Sequence, residues 1–325
     1  MTDDIEAVQL SPRERLKQKQ IPWEAITLGN ELGRGTETIV YEGTYEKRPV
    51  AVKMLNADAR RETQYTFRTE LEVVLGKLDW HPNILNYYGW GVRPSDGSKF
   101  LVMELFEGGP ISRRRKWVSR RPQLVYRIMR DVARALAYIH AHDLIHRDLK
   151  SSNVLVDRPA RVAKLSDFGV SRTQGDSEAV MTALTGTYRF MAPEVIRGER
   201  YDGRADIYSY GILFNELLTG IMPYEDTYLT PVQTATAVVS KNLRPRLVKT
   251  SDKVPASVVA LIERCWDLDP EKRPSAEEIA SFLDVLCGEA AAASPDGSLS
   301  DPDAAKSSTS FEKNPPVHPN RCRTQ

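Results

Sequence analysis

The chain has 325 residues, with 45 Lys and Arg against 44 Asp and Glu and an apolar fraction of 41%, the make-up of an ordinary globular protein with a sizeable core. A net charge of +1 gives no field toward nucleic acid or an anionic membrane, so neither is an expected partner. No eighteen apolar residues run together, so no membrane span is expected, and Met1-Thr2-Asp3-Asp4 lacks the basic and apolar regions of a secretory leader. Cys265, Cys287 and Cys322 are too few and too scattered for a disulfide framework or a metal site, which suits a reducing compartment. The expected location is the cytoplasm, with the nucleus also open.

Residues 1–24 are polar and charged, with a short helix-capable stretch at 14–20, and read as a flexible extension. From 25 to 103 short β-type runs (39–41, 50–54 and 100–103) predict a small sheet-rich lobe interrupted by one helix. In that helix Phe67, Leu71, Val74, Leu75 and Leu78 recur at three- and four-residue spacing, which turns Glu70 inward and Glu72 toward solvent. Residues 104–109 connect to a second lobe, 110–288, whose amphipathic segments 124–142, 204–218 and 256–266 predict helices with a compact strand and loop region after the first. The fold class is therefore α+β in two lobes. Beyond Cys287 the composition turns to Ala, Ser, Pro and Asp, with Phe311 the one aromatic, so 289–325 is expected to be a disordered tail. No repeat of 20 to 50 residues is present, which excludes a solenoid or propeller.

Gly33-Arg34-Gly35-Thr36-Glu37-Thr38-Ile39-Val40 lies between strand-like runs, where small residues let backbone N–H groups approach phosphate oxygens. A dinucleotide-binding glycine motif would open a helix, but Thr38-Ile39-Val40-Tyr41 is a strand pattern. In Val50-Ala51-Val52-Lys53 the small residues beside the lysine, Ala51 above all, leave room for a flat purine. Further on, His146-Arg147-Asp148-Leu149-Lys150-Ser151-Ser152-Asn153 is followed fourteen residues later by Asp167-Phe168-Gly169. A single Asp or Asn in a polar loop is usually a turn residue, whereas this order and spacing are specific.

Over about residues 26–288 these motifs resemble those of the protein kinases, and the resemblance implies the bilobal kinase fold and phosphoryl transfer from ATP to protein substrates, with Mg²⁺ or, as an alternative, Mn²⁺. It implies that Leu32, Gly33, Gly35 and Val40 cover the nucleotide, that Lys53 holds the α- and β-phosphates while paired with Glu70, and that Ala51, Met103 and Leu155 bound the base. Glu104, Leu105 and Phe106 would form the hinge whose backbone binds adenine. Asp148 would take the proton of the incoming hydroxyl, Lys150 would offset charge on the transferred group, and Asn153 and Asp167 would ligate the metal. The family's third loop glycine is Thr38 here, which stiffens the loop and is expected to tune nucleotide affinity.

The segment 167–194, closing with Ala192-Pro193-Glu194, resembles an activation loop. It carries Ser171, Thr173, Ser177, Thr182 and Thr185, with Thr182 the expected phosphorylation site for an upstream activating kinase and Arg147 the natural receiver of that phosphate. Asp206 resembles the aspartate that braces the catalytic loop, and Arg273 the partner of Glu194. Lys150-Ser151-Ser152 and Gly186-Thr187 have the serine/threonine form. Gly186 through Met191, Cys265-Trp266 and Arg273-Pro274-Ser275 are similar to the tyrosine-kinase-like group, so dual specificity stays open. A pseudokinase would usually lack the strand lysine or one of the two aspartates, and here Lys53, Asp148 and Asp167 are all intact. Six basic residues between 112 and 121 suit either docking of acidic substrates or a solvated helix face anchored by Trp117.

Overall fold

The computed structural model describes residues 10–173 and 187–293. A short helix, α1 (Pro12–Gln18), precedes strands β1 (Ile26–Arg34), β2 (Thr38–Tyr45) and β3 (Arg48–Leu55), then helix α2 (Arg61–Leu71) and strands β4 (Tyr87–Val92) and β5 (Lys99–Glu104). The strands form one antiparallel sheet in the order β1-β2-β3-β5-β4. β3 is central and flanked on both sides, and its run of Val50, Ala51 and Val52 is buried, as a doubly covered strand of β-branched and small residues should be. Glu46 and Lys47, both at positive φ, make the tight turn from β2 to β3, the backbone shape that matches the twist of a hairpin. Beyond α2, residues Glu72–Lys77 continue with π-type winding. Phe67, Leu71, Val74, Leu75 and Leu78 are all buried, as their spacing predicts.

The second lobe holds α3 (Arg115–Val118), α4 (Pro122–His140), the short strands β6 (Leu144–Ile145), β7 (Val154–Val156), β8 (Ala163–Leu165) and β9 (Arg172–Thr173), and helices α5 (Pro193–Ile196), α6 (Arg204–Thr219), α7 (Pro231–Lys241), α8 (Ala256–Cys265) and α9 (Ala276–Ala293). α6 is buried on nearly every face, so it is the hydrophobic axis of the lobe. Gly220 at φ 70° ends it in a left-handed cap. One core runs without a break from Leu55 and Phe67 in the first lobe through Leu136 and Phe168 to Phe214 and Ile262 in the second. A second, smaller core on the other face of the sheet gathers Ile21, Ile26, Val50, Val52, Met54, Phe100 and Val102.

Two segments differ from expectation. Residues 10–24 do not trail away from the sheet: α1 is closed by a Ser11–Glu14 capping box, and the chain after it runs along β4, with Ile21 N–H donating to Trp90 O at 2.7 Å and Trp90 N–H to Lys19 O at 3.0 Å. This approach depends on Gly89 and Gly91, since a Cβ at either would fall within 2.3 Å of a backbone oxygen of Lys19 or Ile21. At the other end α9 continues to Ala293, past the expected boundary at 288. Alanine buries little, which is why composition reads as disorder, but it is the best intrinsic helix former and prolongs a helix already anchored upstream.

Candidate active site

Lys53 sits mid-way along β3, opposite Val40 of β2 and Leu101 of β5, while Ala51 faces Met103. Val40, Phe106 and Leu155 are partly buried against the main core that includes Ala51 and Met103. Leu32 is exposed and its carbonyl accepts from Arg113 at 3.5 Å. In the loop between β1 and β2, Gly35 N–H donates to Thr38 O at 2.8 Å, and a Cβ at Gly35 would meet Thr38 Oγ1 at 2.9 Å. Gly33 has open space around its Cβ position, with Arg113 the nearest group at 4.0 Å.

The Lys53 ammonium lies 2.6 Å from Glu70 Oε2 and 3.2 Å from Asp167 Oδ1. Glu70 is 2% exposed, the inward-facing carboxylate its helical position predicts. Burial works against the charge on Lys53, but the carboxylates of Asp167 and Glu70 outweigh it and hold the ammonium above its ordinary value. Lys53 in turn draws the Asp167 carboxyl below its ordinary value, against the pull of burial. Asp167 therefore stays ionised at neutral pH and ready for a cation.

Asp148, Lys150 and Asn153 occupy the loop between β6 and β7. Lys150 Nζ reaches both carboxylate oxygens of Asp148, at 2.9 and 2.6 Å, and Asn153 Nδ2 donates to Asp148 O at 2.9 Å and Oδ2 at 3.0 Å. Burial pushes the Asp148 carboxyl above its ordinary value, with Lys150 pulling back. That direction makes it a better proton acceptor than an exposed aspartate. Asn153 spends its amide N–H groups on Asp148, and its Oδ1 accepts from Ser152 Oγ at 3.3 Å with a second lone pair left for a cation. One neutral and one anionic oxygen, with phosphate oxygens to complete the shell, is a hard donor set that fits Mg²⁺.

The loop is held from below. Asp206, 0% exposed in α6, accepts from His146 N–H and Arg147 N–H at 2.8 Å each and meets His140 Nε2 at 2.9 Å. Burial pushes its carboxyl up, but His140 and these donors hold it below its ordinary value. The brace lets Arg147 adopt φ 68°, and Asp167 turns at φ 66°, left-handed positions that aim both side chains out of the chain's path. His146 packs edge-on against Phe168 at 4.9 Å, joining the two motifs.

At the hinge, β5 ends on Glu104, whose carboxylate accepts from Lys164 of β8 at 2.6 and 2.9 Å. Sequence reading missed this pair, as it missed Tyr87, whose hydroxyl accepts from Asp167 N–H at 3.4 Å. Neither Lys164 nor Tyr87 belongs to a motif. Arg273 and Glu194 form the expected pair, bidentate at 2.5 and 3.0 Å and buried, an arrangement whose loss costs about 3–5 kcal/mol. Ser171 is buried and donates to His146 O at 3.3 Å, so it belongs to the packing of the loop. Ser177, Thr182 and Thr185 lie outside the described residues. In the basic stretch, Arg114 and Arg121 stack on Trp117 at 4.5 and 4.3 Å and Arg115 pairs with Glu216, so half of its charge is committed to the lobe itself.

A protein-family model for the protein kinase domain matches residues 26–282. The chain is 36% identical to the serine/threonine-protein kinase STY46 of Arabidopsis thaliana over 273 residues, 83% of this chain and 46% of that protein. It is also 36% identical to the serine/threonine-protein kinase STY17 of the same plant, over 86% of this chain and 47% of the relative. With the serine/threonine/tyrosine-protein kinase HT1, again of Arabidopsis thaliana, identity is 32% over 86% of this chain and 72% of the relative. The chain spans about half the length of the first two. A cleft built on Lys53, Glu70, Asp148, Asn153 and Asp167, a family match over most of the chain and relatives named as serine/threonine kinases agree: the chain belongs to the protein kinase family.

Proposed function

We propose that the chain is an ATP- and Mg²⁺-dependent protein kinase that phosphorylates serine and threonine hydroxyls of protein substrates in the cytoplasm. The observation that carries this reading is the assembled cleft, with Lys53 already bridging Glu70 and Asp167 while Lys150 and Asn153 hold Asp148. Lys53 binds and orients the α- and β-phosphates. Asp148 orients the acceptor hydroxyl and accepts its proton as the new O–P bond forms and the bond between the γ-phosphorus and the ADP oxygen breaks. Lys150 neutralises charge growing on the transferred group. Asn153 Oδ1 and Asp167 would hold the metal, which when bound supplies charge neutralisation across the β- and γ-phosphates.

Regulation by loop phosphorylation at Thr182, with Arg147 receiving the phosphate, is part of the same proposal. Dual specificity is the second reading, favoured by the likeness to HT1, a serine/threonine/tyrosine-protein kinase. Incubation with Mg²⁺ and ATP alongside mixed Ser/Thr and Tyr peptides, with every phosphate mapped by mass spectrometry, tests both. Transfer to Ser and Thr that falls at least a hundredfold in Asp148→Asn is expected. Nucleotide binding without transfer, even after treatment with activating kinases, would support a scaffold instead.

A further inference from the structure

Glu37 occupies the glycine-rich loop just before Thr38, yet its side chain turns away from the cleft toward the start of α2. Its Oε1 accepts from Arg60 N–H at 3.2 Å and from Arg60 Nε at 2.9 Å, and its Oε2 accepts from Thr63 Oγ1. Its own carbonyl accepts from Asn56 N–H at 3.0 Å. Arg60 is the N-cap of α2 and Thr63 lies in the first turn, so the carboxylate also meets the positive end of an eleven-residue helix. The side chain is 16% exposed, and the Thr63 hydrogen bond is the first cause holding its carboxyl below the ordinary value. The opposite end of α2 carries Glu70, 2.6 Å from Lys53. One helix is thus pinned at both ends to groups of the nucleotide site, its first turn to the phosphate loop and its last to the phosphate lysine.

We propose that Glu37 is a positioning residue that tethers the phosphate-binding loop to α2, so that the loop closes over the nucleotide phosphates in step with the seating of Glu70 on Lys53. The inference rests on the reading of the cleft as an ATP site. A loop with a glycine at position 38 would be free to sample many closures, whereas here Thr38 stiffens the backbone and Glu37 fixes where it stands. The tether raises the fraction of molecules whose loop is competent to hold phosphates, and apparent affinity scales with that fraction.

The test is full-length protein carrying Glu37→Ala, with Glu31→Ala, an exposed acid paired to Arg34 on β1, as control. The expected result is a rise of about five- to tenfold in the Kd and KM for ATP with kcat within about twofold, and unchanged affinity for adenosine, which has no phosphates to hold. Glu37→Gln, which can still accept from Arg60 and Thr63, should recover most of the loss. In a Glu70→Ala background, where α2 has no acceptor to seat on Lys53, Glu37→Ala should add less than twofold, because coupled groups are non-additive. Unchanged ATP affinity in Glu37→Ala, or an equal loss for adenosine, would overturn the tether while peptide phosphorylation by the unaltered protein leaves the kinase reading standing. Failure of the unaltered protein to bind ATP at all would overturn both.

Discussion

Glu216 of α6 shows at the residue scale how burial can set a pH dependence. One oxygen of its carboxylate accepts from Ser151 Oγ at 3.0 Å and Arg115 Nη1 at 3.2 Å, and the other has no hydrogen-bond partner among the described residues. Burial pushes the carboxyl from 4.5 up to about 7, with Ser151 and Arg115 pulling back. An acid with a raised folded value binds its proton more tightly when folded. Its contribution is therefore full below about pH 4.5 and is lost as pH rises through about 7. The gap corresponds to roughly 3 kcal/mol. Glu216→Gln, which keeps the shape and the acceptor for Ser151, should flatten stability between pH 5 and 7 and leave the variant more stable than the parent at pH 8. Urea unfolding at pH 5, 6, 7 and 8 checks this, and parallel curves for the two proteins would show that Glu216 is ionised throughout. Because Ser151 stands in the catalytic loop, the same titration bears on how firmly that loop is held.

At the scale of elements, the segment before β1 is the part of the fold least visible in the sequence. Its apolar anchors, Leu16 and Ile21, are too few to make a periodic stripe, and their hydrogen-bond partners are the indole N–H and the backbone carbonyl of Trp90 in β4, about seventy residues away. The glycines that make room for it, Gly89 and Gly91, look like loop residues until another strand is laid against them. Three helices of the second lobe, α4, α6 and α8, were legible from their apolar patterning, with observed ends within two residues of those expected, whereas α3, α5, α7 and α9 were not expected. Glu70 was legible for the same reason. The Glu37, Glu104 and Glu216 pairings were not, since a carboxylate's partner across a lobe leaves no local pattern. The packing of Ile21, 4% exposed over Val50, Val52 and Phe100, makes a quantitative prediction. Ile21→Ala should cost about 2–4 kcal/mol, the transfer loss plus a cavity. Chemical denaturation reads this directly, and a cost below about 0.5 kcal/mol would mean that residues 10–24 contribute nothing to the sheet.

For the whole molecule, the sequence motifs name the site but not how two lobes act as one. Lys53 belongs to the first lobe and Asp167 to the second, and their 3.2 Å contact crosses the cleft between them. The apolar core also crosses, so opening of the cleft and unfolding of the domain draw on the same contacts. A ligand that binds only the closed, folded arrangement should then stabilise the whole domain. At a hundred times its Kd it contributes about 2.7 kcal/mol, and at about 2 °C per kcal/mol for a domain of this size the melting temperature should rise by about 5 °C. If Asn153 and Asp167 supply the metal ligands, the full rise needs ATP and Mg²⁺ together, and a chelator should remove most of it. Asp167→Asn removes the carboxylate that would hold the metal and leaves Lys53 its contact with Glu70. That variant should melt within a few degrees of the parent without ligand and lose the metal-dependent part of the rise. Differential scanning calorimetry with ATP, ATP plus Mg²⁺ and ATP plus Mn²⁺ separates the two metals in the same experiment. An equal rise with and without a chelator would mean that the nucleotide is held by Lys53 and the loop alone, with no metal at Asp167.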